Sequence, residues 1–332
     1  MIGKLISNLG RAPAEPQAEA EEAAPGLPPG LPPELPPELP PFVGLLQRVV
    51  DALRDDLYVS NLLAAQTLLE TTLAKPQFDD PKRLERAGFK AYSQNDEDGI
   101  LQEIFRRIGA PHKSFVEFGC GNGMENNTSY LLQQGWRGLW MDGSDSNAQF
   151  IGEQFAHLIK HGLLKFESTF ITRENIDGLI AAADLGAEID LLSVDIDGND
   201  YHVWEAVRCV SARVVVVEYN ARLRPPNDWT LTYNAGHTWD SSDRFGASLS
   251  ALTRLGKQLG YQLVTCNISG CNAFFVRKDL CGELFATPAT AEHLYHPPRP
   301  FFTPYFLAGP KPGAMTIVEG AAQRAGLPWP PA

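Results

Sequence analysis

Four consecutive valines, Val214 to Val217, constrain this chain more than any other feature. Side chains of a strand alternate between faces, so a β-branched run with no polar break leaves no face for solvent. Such a strand belongs inside a parallel sheet with helices on both sides. Further short apolar runs recur at Ser114 to Phe118, Gly138 to Asp142, Leu163 to Glu167 and Asp190 to Asp195, with helix-period stretches between them. This alternation predicts a doubly wound α/β architecture. After a helix from about Ser248 to Leu259, the runs Tyr261 to Asn267 and Asn272 to Arg277 are joined by Ile268-Ser-Gly-Cys271. So short a glycine-containing link predicts a terminal antiparallel hairpin.

The 332 residues would allow two domains by length, but the composition of the ends argues for one. Residues 13–42 are dominated by Pro, Glu and Ala. Repeated prolines deny backbone donors and favour extended geometry, so residues 1–42 are expected to be a disordered, Pro-rich N-terminal arm, open to a proline-recognising partner. Apolar residues at helical spacing from Val43 to Leu69 predict a helical N-terminal extension over 43–90, packed on the body or serving as a lid or dimer face. The main domain is expected over 91–285. A Pro- and aromatic-rich tail, 286–332, carries no assignable pattern.

A net charge of −12 with no basic run argues against a surface that tracks nucleic-acid phosphates. The apolar patch within Met1 to Gly10 is too short for a signal-peptide core or a membrane span, so a soluble, cytoplasmic protein is expected. Five scattered cysteines, an odd number, fit reduced thiols rather than a disulfide framework, and Cys266 and Cys271 have no second pair with which to hold zinc.

In an open parallel sheet the ligand sits beyond the carboxyl ends of the strands. The first such end reads Phe115-Val-Glu-Phe-Gly-Cys-Gly-Asn-Gly123. Gly119, Gly121 and Gly123, with Cys120 between them, let the backbone turn sharply and approach a ligand. The spacing is not the Gly-x-Gly-x-x-Gly of a pyrophosphate site, and Glu117 would repel a pyrophosphate. It suits instead the cationic methionine moiety of S-adenosylmethionine. Asp142, 25 positions beyond Glu117 and followed by Gly143, can accept from both ribose hydroxyls. Phe170 and Ile171 are placed to sandwich an adenine, with Ser168 or Thr169 at its edge.

The fourth strand end is the densest in acids: Asp190-Leu-Leu-Ser-Val-Asp195-Ile-Asp197-Gly-Asn199-Asp200. Carboxylates so close repel unless hydrogen bonds or a cation offset them. Asp195 can face the cofactor, and Asp195 and Asp197 are candidate catalytic groups. With Glu218 and Asn220 at the next strand end they could form an all-oxygen site for a divalent ion such as Mg2+, drawing an acceptor hydroxyl towards ionisation. Without a metal, His202 and His237 are the candidate general bases. Tyr92-Ser-Gln-Asn-Asp-Glu97-Asp98 opens a helix rich in acids, read either as capping or as a cover for the cofactor.

At these residues the chain resembles class I S-adenosylmethionine-dependent methyltransferases, and more narrowly the FkbM-like group. The resemblance spans roughly Tyr92 to Arg277 and rests on Ser93-Gln94 with Glu97-Asp98, on Val116 to Gly123, on Ile189 to Gly198, and on Val217-Glu218. It implies a Rossmann-like methyltransferase sheet and methyl transfer, commonly to a hydroxyl of a sugar or natural product. The chain departs from the group at Glu117, Cys120-Gly121 and Asp195-Ile-Asp-Gly-Asn-Asp200. The expected function is O-methylation of a saccharide or polyhydroxylated small molecule, divalent-metal-assisted in one form, with homo-oligomerisation an open option. The alternative is a catalytically silent methyltransferase-like module tethered by the Pro-rich arm. A nicotinamide-dependent oxidoreductase is disfavoured by the glycine spacing and the hairpin.

Overall fold

A computed structural model describes residues 41–306 and 313–329. The Pro-rich stretch up to residue 40 lies outside the described residues. The first helix, α1 (Pro41–Leu73), starts two residues inside the expected arm, with Pro41 in the first turn, where its missing N–H is no loss. One long helix thus forms the first part of the expected helical extension. Two short 3-10 turns follow at Pro76–Phe78 and Glu85–Ala87, and then α2 (Glu97–Ile108).

The main sheet and its helices run in order: β1 (Ser114–Phe118), α3 (Ser129–Gln133), β2 (Arg137–Asp142), α4 (Asp145–Gln154), α5 (Ala156–Lys160), β3 (Leu164–Ser168), α6 (Ile176–Ala182), β4 (Glu188–Val194), α7 (Asp200–Ala206), β5 (Ser211–Glu218) and α8 (Leu249–Gln258). They are followed by β6 (Tyr261–Cys266) and β7 (Asn272–Arg277). The strand order is β3-β2-β1-β4-β5-β7-β6. β1 to β5 pair in parallel, and β7 is antiparallel to both β5 and β6. The hairpin therefore folds back, so that its second strand fills the position next to β5. This is the doubly wound α/β fold with a terminal antiparallel hairpin.

The valine run explains where the core sits. Val214 and Val216 join one buried cluster with Phe115, Trp140 and Leu191. Val215 and Val217 join another with Val116, Phe118 and Leu192 on the opposite face. Each fully buried valine contributes roughly 1.5–3 kcal/mol, and a one-residue register slip would exchange the two faces.

Local chemistry sets the helix starts nearest the strand ends. The Ser144 hydroxyl accepts from Asn147 N at 3.4 Å and opens α4, and the buried Ser248 hydroxyl accepts from Ala251 N at 3.2 Å and opens α8. At α2 the acids prove structural. Asp98 Oδ2 accepts from the N–H groups of Ala91, Tyr92 and Ser93 at 2.7–2.9 Å. Glu97 Oε1 accepts from the side-chain amides of Asn267 and Asn272 at 2.7 and 2.9 Å, which ties the helix to the β6–β7 turn. These bonds run to the preceding loop and to the hairpin turn, and Asp96, the residue before the helix, makes no side-chain cap.

The tail adds α9 (Lys278–Cys281), α10 (Ala291–Leu294), α11 (Phe302–Phe306) and α12 (Ala314–Arg324). α12 packs on α3, with Gly320 against the Gln133 side chain, and α11 packs on the second half of α1. Tyr219 Oη, just past β5, donates to the His296 carbonyl at 2.6 Å, while Tyr295 Oη donates to the Ala221 carbonyl at 2.6 Å. The aromatic tail is thereby fastened to the exit of the valine strand. Among the described residues no helix is long and apolar enough to cross a membrane.

Candidate functional site

The chain leaves β1 through Gly119, whose N–H donates to the Met141 carbonyl at 2.9 Å. Gly119 has φ 73°, and a Cβ on it would lie 1.5 Å from the Asp195 carbonyl oxygen. The ends of β1 and β4 can approach this closely only with glycine there. Two residues on, Gly121, at φ 58°, turns its N–H to Asp142 Oδ2 at 2.8 Å. Asp142 Oδ1 accepts from Ser144 N and from Asn147 Nδ2, both at 2.9 Å. The acid at the end of β2 is thus locked to the glycine turn on one side and to the start of α4 on the other.

These strand ends surround a cleft of about 470 Å³. Gly119, Asp142 with Gly143 and Ser144, Thr169 to Ile171, and Asp195 to Asp197 line it, contributed by the exits of β1, β2, β3 and β4. Seven residues expected to bind a cofactor therefore share one cavity: Gly119, Asp142, Gly143, Thr169, Phe170, Ile171 and Asp195. Phe170 is 47% exposed, so its ring forms a wall of the cleft rather than part of the core.

Glu117 departs from expectation. It sits within β1 and does not line the cleft, because its carboxylate is occupied behind it. Oε1 accepts from Asn127 N at 2.8 Å and from Ser193 Oγ at 3.2 Å; Oε2 accepts from Thr128 N at 3.2 Å and from the Thr128 hydroxyl. Thr128 Oγ1 in turn accepts from Trp140 Nε1 at 2.7 Å. Burial pushes the Glu117 carboxyl up to about 7 against these donors. Its place is to hold the loop that follows the glycine turn. Cys120, buried among apolar neighbours, and Gly123, whose Cβ would meet the Trp140 ring at 2.6 Å, likewise support the turn without lining the cleft.

The acids at the ends of β4 and β5 converge. Asp195, Asp197 and Glu218 each place a carboxylate oxygen within 4.8 Å of the others. Asp197 has φ 56°, uncommon for a residue other than glycine, and the turn carrying it is held by Asp200. Asp200 Oδ1 accepts from Ile196 N at 2.7 Å and Oδ2 from Gly198 N at 2.8 Å. Burial, with the nearby Asp195 charge, pushes the Asp200 carboxyl up to about 7. Burial and the charges of Asp195, Asp197 and Asp200 push Glu218 well above the usual carboxylate range.

Glu218 lines a second cavity, of about 260 Å³, together with Asn220, Arg222, Trp239, Asp243, Cys271 and Pro298. Trp239 lines both cavities, so the acid cluster stands where they meet. Asn220, expected as a metal ligand, also fastens the neighbouring segment. Its Nδ2 donates to the carbonyls of Asp243 and Phe245 at 2.8 and 3.2 Å and its Oδ1 accepts from Arg222 N at 3.2 Å, so the amide secures the 239–247 segment. His202 lines neither cavity; its Nε2 lies 2.7 Å from the Leu231 carbonyl and its ring against Tyr233. His237 does line the cleft, packed so closely on Gly198 that a Cβ there would sit 2.2 Å from the ring.

Sequence reading missed Ser144, Asn199, Thr238 and Trp239 as cleft residues. The segment from Ala221 to Ala247 has no periodicity to read. Contacts from distant elements hold it: Asn199 Nδ2 donates to the Asn234 carbonyl at 2.8 Å, and the Arg173 guanidinium lies 4.0 Å from the Tyr233 ring centroid. Only the aromatic within Gly236-His-Thr-Trp239, two residues after a histidine, could have drawn notice.

No protein-family model matches the chain, and no curated protein matches its sequence. Solved structures to which it is similar include methyltransferases. An O-methyltransferase from Bacillus cereus in complex with SAH is 14% identical, over 68% of this chain and 95% of that one, at a TM-score of 0.35. An S-adenosylmethionine-dependent methyltransferase from Clostridium acetobutylicum is 12% identical, over 56% of this chain and 92% of that one, at 0.34. A SAM-dependent methyltransferase from Aquifex aeolicus is 13% identical, over 60% and 95%, at 0.34.

Proposed function

We propose that this chain is an S-adenosylmethionine-dependent O-methyltransferase, FkbM-like, whose acceptor is a saccharide or another polyhydroxylated small molecule. The observation that carries the reading is the meeting of two cavities at one acid cluster. Asp142, Gly119 and Asp195 line the larger cavity, Glu218 lines the smaller, and Trp239 lines both.

Asp142 suits a ribose. Three donors fix the carboxylate in place, two on Oδ1 and one on Oδ2, so Oδ2 keeps a lone pair for a ribose hydroxyl. Phe170, beside Gly143, offers a flat ring for an adenine in the same cleft, and Ile171 an apolar side chain. S-adenosylmethionine, bound there, supplies a methyl group on a cationic sulfur, and carboxylates rather than lysines or arginines line the cavity.

In the smaller cavity, Trp239 gives an aromatic wall and Glu218, Asp243 and Arg222 give polar edges, the combination that holds a hydroxylated ring. Methylation of a hydroxyl requires removal of its proton. Asp195, Asp197 and Glu218 are the acceptors nearest the junction, and His237 is the histidine on the cleft wall. The three carboxylates also fit a hard divalent ion such as Mg2+, an all-oxygen donor set in which burial and mutual repulsion favour a cation. Such an ion would lower the pKa of a hydroxyl bound to it.

Titration calorimetry of the full chain with S-adenosylhomocysteine tests the cofactor. A micromolar dissociation constant is expected, and folded protein giving no heat at millimolar ligand would overturn the reading. A stabilising thermal shift with NAD but none with S-adenosylhomocysteine would overturn it in favour of hydride chemistry. Transfer of labelled methyl groups to a panel of mono- and oligosaccharides, with and without Mg2+, tests the acceptor class.

A further inference from the structure

The first half of α1 carries a broad apolar face that the described body of the protein does not cover. Leu45, Leu46, Val49, Val50, Leu53 and Leu57 are each 42–63% exposed. The second half of the same helix is anchored: Ala65 is buried in a cluster with Phe78, Ile268 and Phe302, and Leu69 and Leu73 pack against it. Arg86 clamps the end of the helix by donating to the Leu73 carbonyl at 2.8 Å. A firmly based helix thus presents a stretch of greasy surface to solvent, the pattern of a protein interface rather than of a free surface.

We infer that this face pairs with the same face of a second copy of the chain. Leu46, Val50, Leu53 and Leu57 fall at intervals of four, three and four, the seam spacing of paired helices. That spacing reads the same in both chain directions, so the seam is self-complementary, as a two-fold interface requires. A basic polar face would have favoured an anionic membrane. Instead Arg48 and Arg54 are outnumbered by Asp51, Asp55 and Asp56, and Arg54 lies 3.6 Å from Asp51 on the same helix. A helix of about 20 residues is ~30 Å long, and covering half its girth buries roughly 500 Å² per copy, about 1,000 Å² in all. That reaches the lower bound for a specific interface, so the dimer is expected to be reversible.

The base of α1 rests on Ile268, and the same β6–β7 turn supplies Gly270 and Cys271 to the wall of the smaller cavity. Pairing would therefore brace the element that backs the cavity.

Sedimentation velocity of the full chain over about 0.5–50 µM is the test, with the mass expected to rise from one chain towards two across the micromolar range. The double variant Leu46→Glu/Leu53→Glu replaces exposed side chains, so it should remain a monomer throughout and keep the wild-type thermal midpoint. Should it unfold, Leu46→Ala/Leu53→Ala is expected to weaken association at least tenfold. Met315→Glu, on another exposed apolar residue, should leave the dimer intact. Wild-type protein monomeric at the top concentration, association undiminished in the folded variant, or a limiting mass other than two chains would each overturn the inference.

Discussion

Replacing Gly119 by alanine tests the close approach of β1 and β4 that shapes the cleft. Two penalties combine there. A left-handed φ of 73° costs an alanine about 1–2 kcal/mol. The added Cβ would lie 1.5 Å from the Asp195 carbonyl oxygen, so the two strand ends must part, an overpacking cost of about 1–3 kcal/mol. Gly121 is the internal control: its φ of 58° carries the same conformational penalty, yet a Cβ there would meet nothing within 4 Å. At about 2–4 °C per kcal/mol for a domain of this size, Gly119→Ala should lower the thermal midpoint by roughly 4–20 °C and Gly121→Ala by roughly 2–8 °C. Differential scanning calorimetry reads both, and calorimetric titration with S-adenosylhomocysteine reads the cleft. Gly119→Ala should weaken binding at least tenfold, because displacing the Asp195 carbonyl displaces a wall of the cavity. Equal midpoint shifts in the two variants, or wild-type affinity in Gly119→Ala, would refute the close-approach argument.

Three further outcomes follow from the same geometry. Asp142→Ala removes the acceptor for Gly121 N, Ser144 N and Asn147 Nδ2, and should weaken S-adenosylhomocysteine binding tenfold or more in calorimetry, with a midpoint loss of a few degrees. Asp197→Asn keeps a residue type that tolerates positive φ but removes a charge from the cluster. Mg2+ or Mn2+ affinity by titration should fall at least tenfold while S-adenosylhomocysteine affinity stays within about threefold, and turnover unaffected by chelator would exclude a metal role. The third concerns pH. Burial raises the carboxyls of Asp98 to about 6, Glu117 and Asp200 to about 7, and Asp96 to about 8, so the folded chain binds more protons than the unfolded chain above the unfolded carboxylate range. Their contribution is therefore fully present below that range and is lost as pH rises through 6 to 8. Urea midpoints should be higher at pH 5.5 than at pH 8.5, and a midpoint that climbs with pH across this window would contradict the assignment.

The fold was legible because its signals are local. A valine run with no polar side, acids at strand ends and a hairpin link are set by strand periodicity and turn sterics, and each reappears in the sheet. The cleft residues contributed by strand exits, Gly119, Asp142, Thr169, Phe170 and Asp195, were legible for the same reason. Glu117 was not. Its position beside the glycine turn suggests a ligand, but which way a carboxylate in a buried strand turns depends on donors 10, 11 and 76 residues away, at Asn127, Thr128 and Ser193. His202 and Asn220 follow the same rule, each occupied by a carbonyl of the segment between β5 and α8.

The sequence by itself determined the succession of strands in the main domain, the parallel sheet with its terminal hairpin, the glycine turn and the acids at the strand exits. All of these arise from backbone constraints and the spacing of apolar residues along the chain. Tertiary structure alone decided that Trp239 forms a wall common to two cavities, and that the tail is pinned to β5 while half of α1 stays uncovered. Those outcomes depend on which side chains packing brings together across long sequence separations, a property of the folded chain and not of any segment within it.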